Sequence, residues 1–169
     1  MSCICAGVGA APCAWPVVAS IAWWAFSRQY DRAEEKLNAV LEMAPSFGRA
    51  HMVRYVYVEK GEFAKALADV KKYSPHSGRE LAYVFGRSGH PAEAQRALEE
   101  LNQRQPVDPS AFAWAYIGMG NKDQTLAWLE KAYAQHSNVM VTLKVEPGWD
   151  PLRSDPRFQY LVRRVGLPQ

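Results

Sequence analysis

The chain is 169 residues long, enough for one domain with a sizeable core, and 49% of it is hydrophobic, which excludes disorder for most of its length. A formal net charge of +3 and a pI near 8.8 fall short of the basic stripe that a nucleic-acid binder carries, so nucleic acid is not expected as a partner. All three cysteines, Cys3, Cys5 and Cys13, crowd into one end without a nearby histidine, so neither a disulfide framework nor a metal site is expected.

Residues 1–27 carry no charged side chain. The missing basic region argues against a secretory signal, and Pro12 and Pro16 interrupt the apolar run before it reaches the roughly 20 residues a membrane span needs. A membrane partner is therefore not expected, and the cytoplasm is the simplest location. Residues 1–14 read as an apolar tail. Pro16 suits the first turn of a helix that ends near Arg28 and is apolar nearly all round. Trp15, Val18, Trp23 and Phe26 then need a cover. The tail itself, a second copy of the chain in a homodimer, or further repeats upstream would each serve.

Four helix pairs follow in order. The first joins 16–27 to 31–43, with Asp31 as N-cap and Ala33, Leu37, Val40 and Leu41 on one face. The second joins 48–60 to 63–73 and turns Val53, Tyr57, Phe63, Ala66 and Val70 inward. The third joins 77–87 to 91–104, with Ser77 and Glu80 spaced as a capping box and Pro91 opening its second helix. The fourth joins 109–119 to 122–135, with Phe112, Ala113 and Tyr116 facing Leu126, Leu129 and Ala132. Gly61, Gly89 and Gly120 mark the turns inside the last three pairs. Beyond residue 136, Ser154 or Asp155 caps a final helix opened by Pro156, striped by Phe158, Leu161, Val162 and Val165, and stopped by Gly166.

The pairs resemble tetratricopeptide repeats. The resemblance rests on Leu81, Ala82 and Phe85, on Phe112, Ala113 and Tyr116, on the three turn glycines, on Tyr30 and Phe63 after a turn, on Ala33, Ala66 and Ala94, and on Pro45 and Pro106. It implies an all-α, right-handed solenoid of about four hairpins over residues 15–136, with residues 137–169 forming a linker and a C-terminal capping helix. Arg54 stands where the family has a small residue, Thr125 where it has alanine, and Arg28 where it has the first glycine. The tail LRSDPRF also resembles the end of repeat regions in bacterial signalling proteins, where the array accompanies a winged-helix or a serine/threonine kinase domain. A regulatory or sensory module detached from such a protein is thus one reading.

No catalytic constellation stands out, and His51, His76, His90 and His136 are scattered. A noncatalytic interaction module that captures a protein or peptide is the reading the residues favour, with an enzyme of unrecognised site as the alternative. In the family, the first helices line a concave groove. Carried over, that places His51, Tyr55, Glu59, Arg79, Tyr83, Arg87, Trp114 and Ile117 along it. Tyr55, Tyr83 and Trp114 would form an aromatic ladder, and the arginines would grip a carboxylate or carbonyl of an extended peptide. The lysine and asparagine clamp of the chaperone-binding subclass is missing from these positions.

Overall fold

The computed structural model describes residue 25 and residues 27–44, 53–74, 76–104 and 106–166. Every regular element among them is helical: α1 (Tyr30–Met43), α2 (Val53–Glu59), α3 (Phe63–Tyr73), α4 (Gly78–Arg87), α5 (Pro91–Gln103), α6 (Pro109–Gly118), α7 (Lys122–Ala134), two 3-10 turns (Asn138–Thr142 and Pro147–Leu152) and α8 (Pro156–Val165). Each α-helix packs on the next, and α4 also packs broadly on α6.

The turns inside the pairs share one hydrogen-bond pattern. Gly61, Gly89 and Gly120 hold φ of +76°, +80° and +74°, a region open to glycine at little cost. The amide after each glycine donates back to the closing turn of the preceding helix: Glu62 to Tyr57 O (2.7 Å), His90 to Phe85 O (2.9 Å) and Asn121 to Tyr116 O (3.0 Å). The glycine amides themselves donate to Val58, Gly86 and Ile117. This pair of hydrogen bonds closes the last carbonyls of α2, α4 and α6 and reverses the chain. The same cap ends α7, where His136 takes φ of +53° and Ser137 N–H donates to Ala132 O at 2.9 Å. Arg28, in place of the first glycine, also takes a left-handed φ of +60°.

The striped positions are buried as their spacing demands. Ala33, Leu37 and Val40 of α1, Ala66 and Val70 of α3, Ala94, Leu98 and Leu101 of α5, and Leu126, Leu129 and Ala132 of α7 all face the core. Leu41, Phe63 and Tyr116 are half-buried at its margin. Ala82, Phe112, Ala115 and Leu98 form a second cluster between α4, α5 and α6, with Trp128 stacked on Phe112 at 4.2 Å.

Several local expectations are corrected. Gln29, not Asp31, precedes α1. Asp31 lies in the first turn and pairs with Lys60 at 2.8 Å, so its carboxylate is drawn toward the next pair and away from the helix end. Ser77 is the N-cap of α4 but makes no side-chain cap bond, and Glu80 is buried against Arg79. The capping box is therefore not formed. Asp155 and Pro156 do open α8, and Gly166 closes it at φ +77°. The first helix of the chain and the start of the second pair lie outside the described residues, as do Pro45 and His51.

One contact holds the second pair together, and another fixes two pairs relative to one another. Arg54 stands seven residues before its turn glycine, the place Ala82 and Ala113 take in later pairs. Its guanidinium is buried and lies 3.1 Å from Asp69 of α3, so the bulk is accommodated by an ion pair within the hairpin. Between α4 and α6 the backbones themselves touch. A Cβ on Gly118 would sit 2.7 Å from Tyr83 Cα, and one on Gly86 would sit 2.5 Å from Gly118 C.

Gly118→Ala is therefore expected to cost about 1–3 kcal/mol by overpacking, whereas Gly89→Ala, with open space around it, costs about 1 kcal/mol through φ alone. Urea midpoints of the two variants measure the difference. Asp69→Ala, which strips Arg54 of its buried counter-charge, should cost about 3–5 kcal/mol in the same assay.

Candidate binding face

Tyr55, Tyr83 and Trp114 each stand six residues before their turn glycine, so equivalent positions of α2, α4 and α6 present an aromatic to one side. The three rings meet. Centroids lie 5.7 Å apart for Tyr55 and Tyr83, 5.2 Å for Tyr83 and Trp114, and 5.4 Å for Tyr55 and Trp114. Such tilted and edge-on contacts are the favourable geometry for aromatic quadrupoles.

Charge is organised around the rings. Glu59 accepts from the Tyr83 hydroxyl and from Arg87, both at 3.2 Å, and Arg87 reaches the Tyr83 oxygen at 3.3 Å. Burial, then the Glu59 carboxylate, pushes the Tyr83 phenol well above its ordinary value. Burial likewise raises Tyr55 to about 12. Arg79 lies beside Tyr55 and donates from Nε to Glu80 Oε1 at 3.1 Å, and both neighbours favour its charged form.

The stretch expected to be a linker instead folds over this face. In the second 3-10 turn Trp149 is fully buried, with its ring 4.4 Å from Trp114. Gly148 lies so close that a Cβ there would be 2.4 Å from the Trp114 ring, which is why the chain crosses the indole at a glycine. Asp150 then pairs with Arg28 at 2.6 Å, tying residues 122 positions apart in sequence. Arg153 braces the segment by donating to Lys144 O (2.6 Å), Glu146 O (3.3 Å) and the Asp150 carboxylate.

The sequence-derived groove is thus corrected in its access. Tyr83, Trp114 and Ile117 keep only 1%, 8% and 3% of their surface, because the segment around Trp149 and the neighbouring helices cover them. Tyr55, Glu59, Arg79 and Arg87 remain half-buried at its edge. His51 and the self-association set Trp15, Val18, Trp23 and Phe26 lie outside the described residues. What stays open is a cleft of about 430 Å³ beside the segment, bounded by Glu59, Arg87, Met119, Lys122, Asp150 and Pro151. Among the described residues no group of three His, Cys, Asp or Glu could hold a metal ion, and no helix is long and apolar enough to cross a membrane.

Sequence reasoning missed Arg28, Glu146, Trp149 and Asp150. The one signal was a tryptophan inside a Pro-Gly-Trp-Asp-Pro stretch otherwise typical of a loop. Glu146 is the unusual group. Burial, followed by the nearby carboxylates of Glu59 and Asp150, pushes its pKa up to about 7 from an ordinary 4.5.

Comparison of the chain with protein families, curated proteins and solved structures gives no match.

Because Glu146 holds its proton in the folded chain over a range where the unfolded chain has lost it, folding binds protons between about pH 4.5 and 7. Stability contributed at this position is complete at low pH and is lost as pH rises through that window. Glu146→Gln should gain about 1–3 kcal/mol over the natural chain at pH 8, and far less at pH 5. Urea denaturation at the two pH values reads the difference, and an equal gain at both contradicts the assignment.

Proposed function

We propose that this chain is a noncatalytic protein-interaction module of the tetratricopeptide type, an array of helix hairpins that captures an extended peptide segment of a partner protein. The observation that carries the reading is the positional equivalence of the hairpins. Three turns share one cap, and residues at one fixed distance from each turn glycine, Tyr55, Tyr83 and Trp114, converge on one face. Repetition of a hairpin that cannot bury its own stripe is the basis of stacked arrays, and their concave sides serve as binding surfaces.

The partner is received at the open cleft and the half-buried edge of the ladder. Arg87 and Lys122 bring cationic donors to its lining, and Glu59 and Asp150 bring acceptors. An extended peptide carries both backbone donors and acceptors, and it suits a cleft of mixed charge better than a uniformly charged ligand does. Arginine beside tyrosine is also the pairing enriched among residues that dominate interface energies.

The test changes the cations that line the cleft, since Tyr83 is a packing residue whose loss would perturb the fold. Arg87→Gln combined with Lys122→Glu should keep the helical circular-dichroism signal, with the stability read from urea denaturation lowered by no more than about 1 kcal/mol for the lost Arg87–Glu59 pair. Proteins retained by the immobilised natural chain should be lost from the variant by tenfold or more. Identical retention by both would remove the cleft from the interaction.

A further inference from the structure

The segment from Glu146 to Arg153 lies where a partner peptide would have to lie to reach the aromatic ladder. We infer that it is an autoinhibitory strap: it seals the inner part of the binding face when Glu146 is neutral, and it opens when Glu146 ionises beside Glu59 and Asp150. This rests on the reading of that face as a partner-binding surface, and it names how access to it is controlled.

The strap has the structure of an inserted ligand. It crosses the Trp114 indole at the one residue without a side chain, and it sets Trp149 against Trp114 at 4.4 Å. Trp149 and Leu152 are fully buried, which holds it down. Yet its fit is incomplete. The Trp149 Nε1 donor is buried with no hydrogen-bond partner among the described residues, a cost that water would relieve on opening.

The charges around Glu146 supply the trigger. Glu59 of α2 lines the same cleft as Pro147, the residue after Glu146, and as Asp150; the phenols of Tyr55 on α2 and Tyr30 on α1 are within electrostatic range. On the strap, Asp150 is its charged neighbour. Three arginines stand near, but each is engaged: Arg28 with Asp150, Arg87 with Glu59, and Arg153 with Asp150 and the Glu146 backbone carbonyl. Lys144 lies on the exposed turn ahead of the strap. The interactions that act on the Glu146 carboxylate are burial and two like charges, all of which disfavour its ionised form while the strap is down. Opening the strap hydrates Glu146 and carries both Glu146 and Asp150 away from Glu59. Ionisation therefore favours the open form, and the strap loosens as pH rises toward and past 7.

Amide hydrogen exchange on the full chain reads this without any partner. With intrinsic exchange rates divided out, protection of residues 148–153 should fall by roughly 10- to 100-fold between pH 5 and pH 8.5. Amides of α4 and α6 should change much less. Glu146→Gln should abolish the fall, and Glu59→Gln, which removes one of the like charges, should shrink it. Strap amides that exchange in step with α4 and α6 at every pH would overturn the proposal, as would an undiminished fall in Glu146→Gln. These outcomes leave the cleft reading untouched, since that reading is decided by Arg87 and Lys122. The inhibitory role has its own readout. At pH 8 the natural chain should capture its partner several-fold better than Glu146→Gln does, and equal capture would show that the strap moves without governing access.

Discussion

The contact between the backbones of α4 and α6 governs much of what lies around it. Gly86 and Gly118 let the two helices approach until no side chain fits between them. That distance puts the Tyr83 ring edge-on against Trp114, and it leaves the Trp114 indole as a flat surface which the strap crosses at Gly148. Had either helix glycine been alanine, the helices would separate, and the ring contacts of about 5 Å would open with them. The aromatic face thus depends on the spacing of glycines as much as on the aromatics themselves.

The left-handed caps work on a different scale. They set where each helix stops and in which direction the chain returns, and they do so with the same two hydrogen bonds each time. Because each cap is local, the hairpins were legible in the sequence: a glycine after a helical pattern, followed by a new amphipathic stripe, placed α3, α4, α5, α6 and α7 to within about two residues of their observed ends. The cap at His136 was not legible, because histidine adopts a positive φ far less often than glycine does. Side-chain caps were also poorly read. Asp31 and Glu80 had the right identity and spacing, but a lysine of the next pair and an adjacent arginine hold their carboxylates instead of the helix ends.

For the candidate face, the sequence supplied the ladder but not its cover. Helical periodicity identifies which residues share a side of a helix, and for Tyr55, Tyr83 and Trp114 that was sufficient. Whether such a side meets solvent depends on segments far away in the chain. The strap joins the face through contacts more than 30 residues long in sequence, such as Trp149 on Trp114 and Asp150 on Arg28, and these leave no periodic trace. A loop-like composition concealed it further, since proline and glycine normally mark exposed turns. Here proline and glycine serve burial: Pro147 and Gly148 are both covered, and they bring Trp149 down into the core.

The same arrangement explains why ionisable groups gather at this one place. A face built of equivalent positions on successive helices repeats its chemistry, so Glu59 and Arg87, each two residues before a turn glycine, neutralise one another across neighbouring helices. The strap arrives from outside that register and brings two further carboxylates, those of Glu146 and Asp150. Asp150 pairs with Arg153 and with Arg28, whose left-handed backbone stands where the later pairs have a turn glycine. Glu146 meets the like charges of Glu59 and Asp150 instead. Its ionised form is disfavoured by burial and by the charge on its neighbours alike, which raises its pKa to about 7, so that it keeps its proton below that pH. A purely structural cover would be better served by an amide or an apolar residue at that position, since either could be buried without regard to pH. The presence of a carboxylate there couples docking of the segment to proton uptake, and the apolar anchors Trp149 and Leu152 set how far that coupling can shift it.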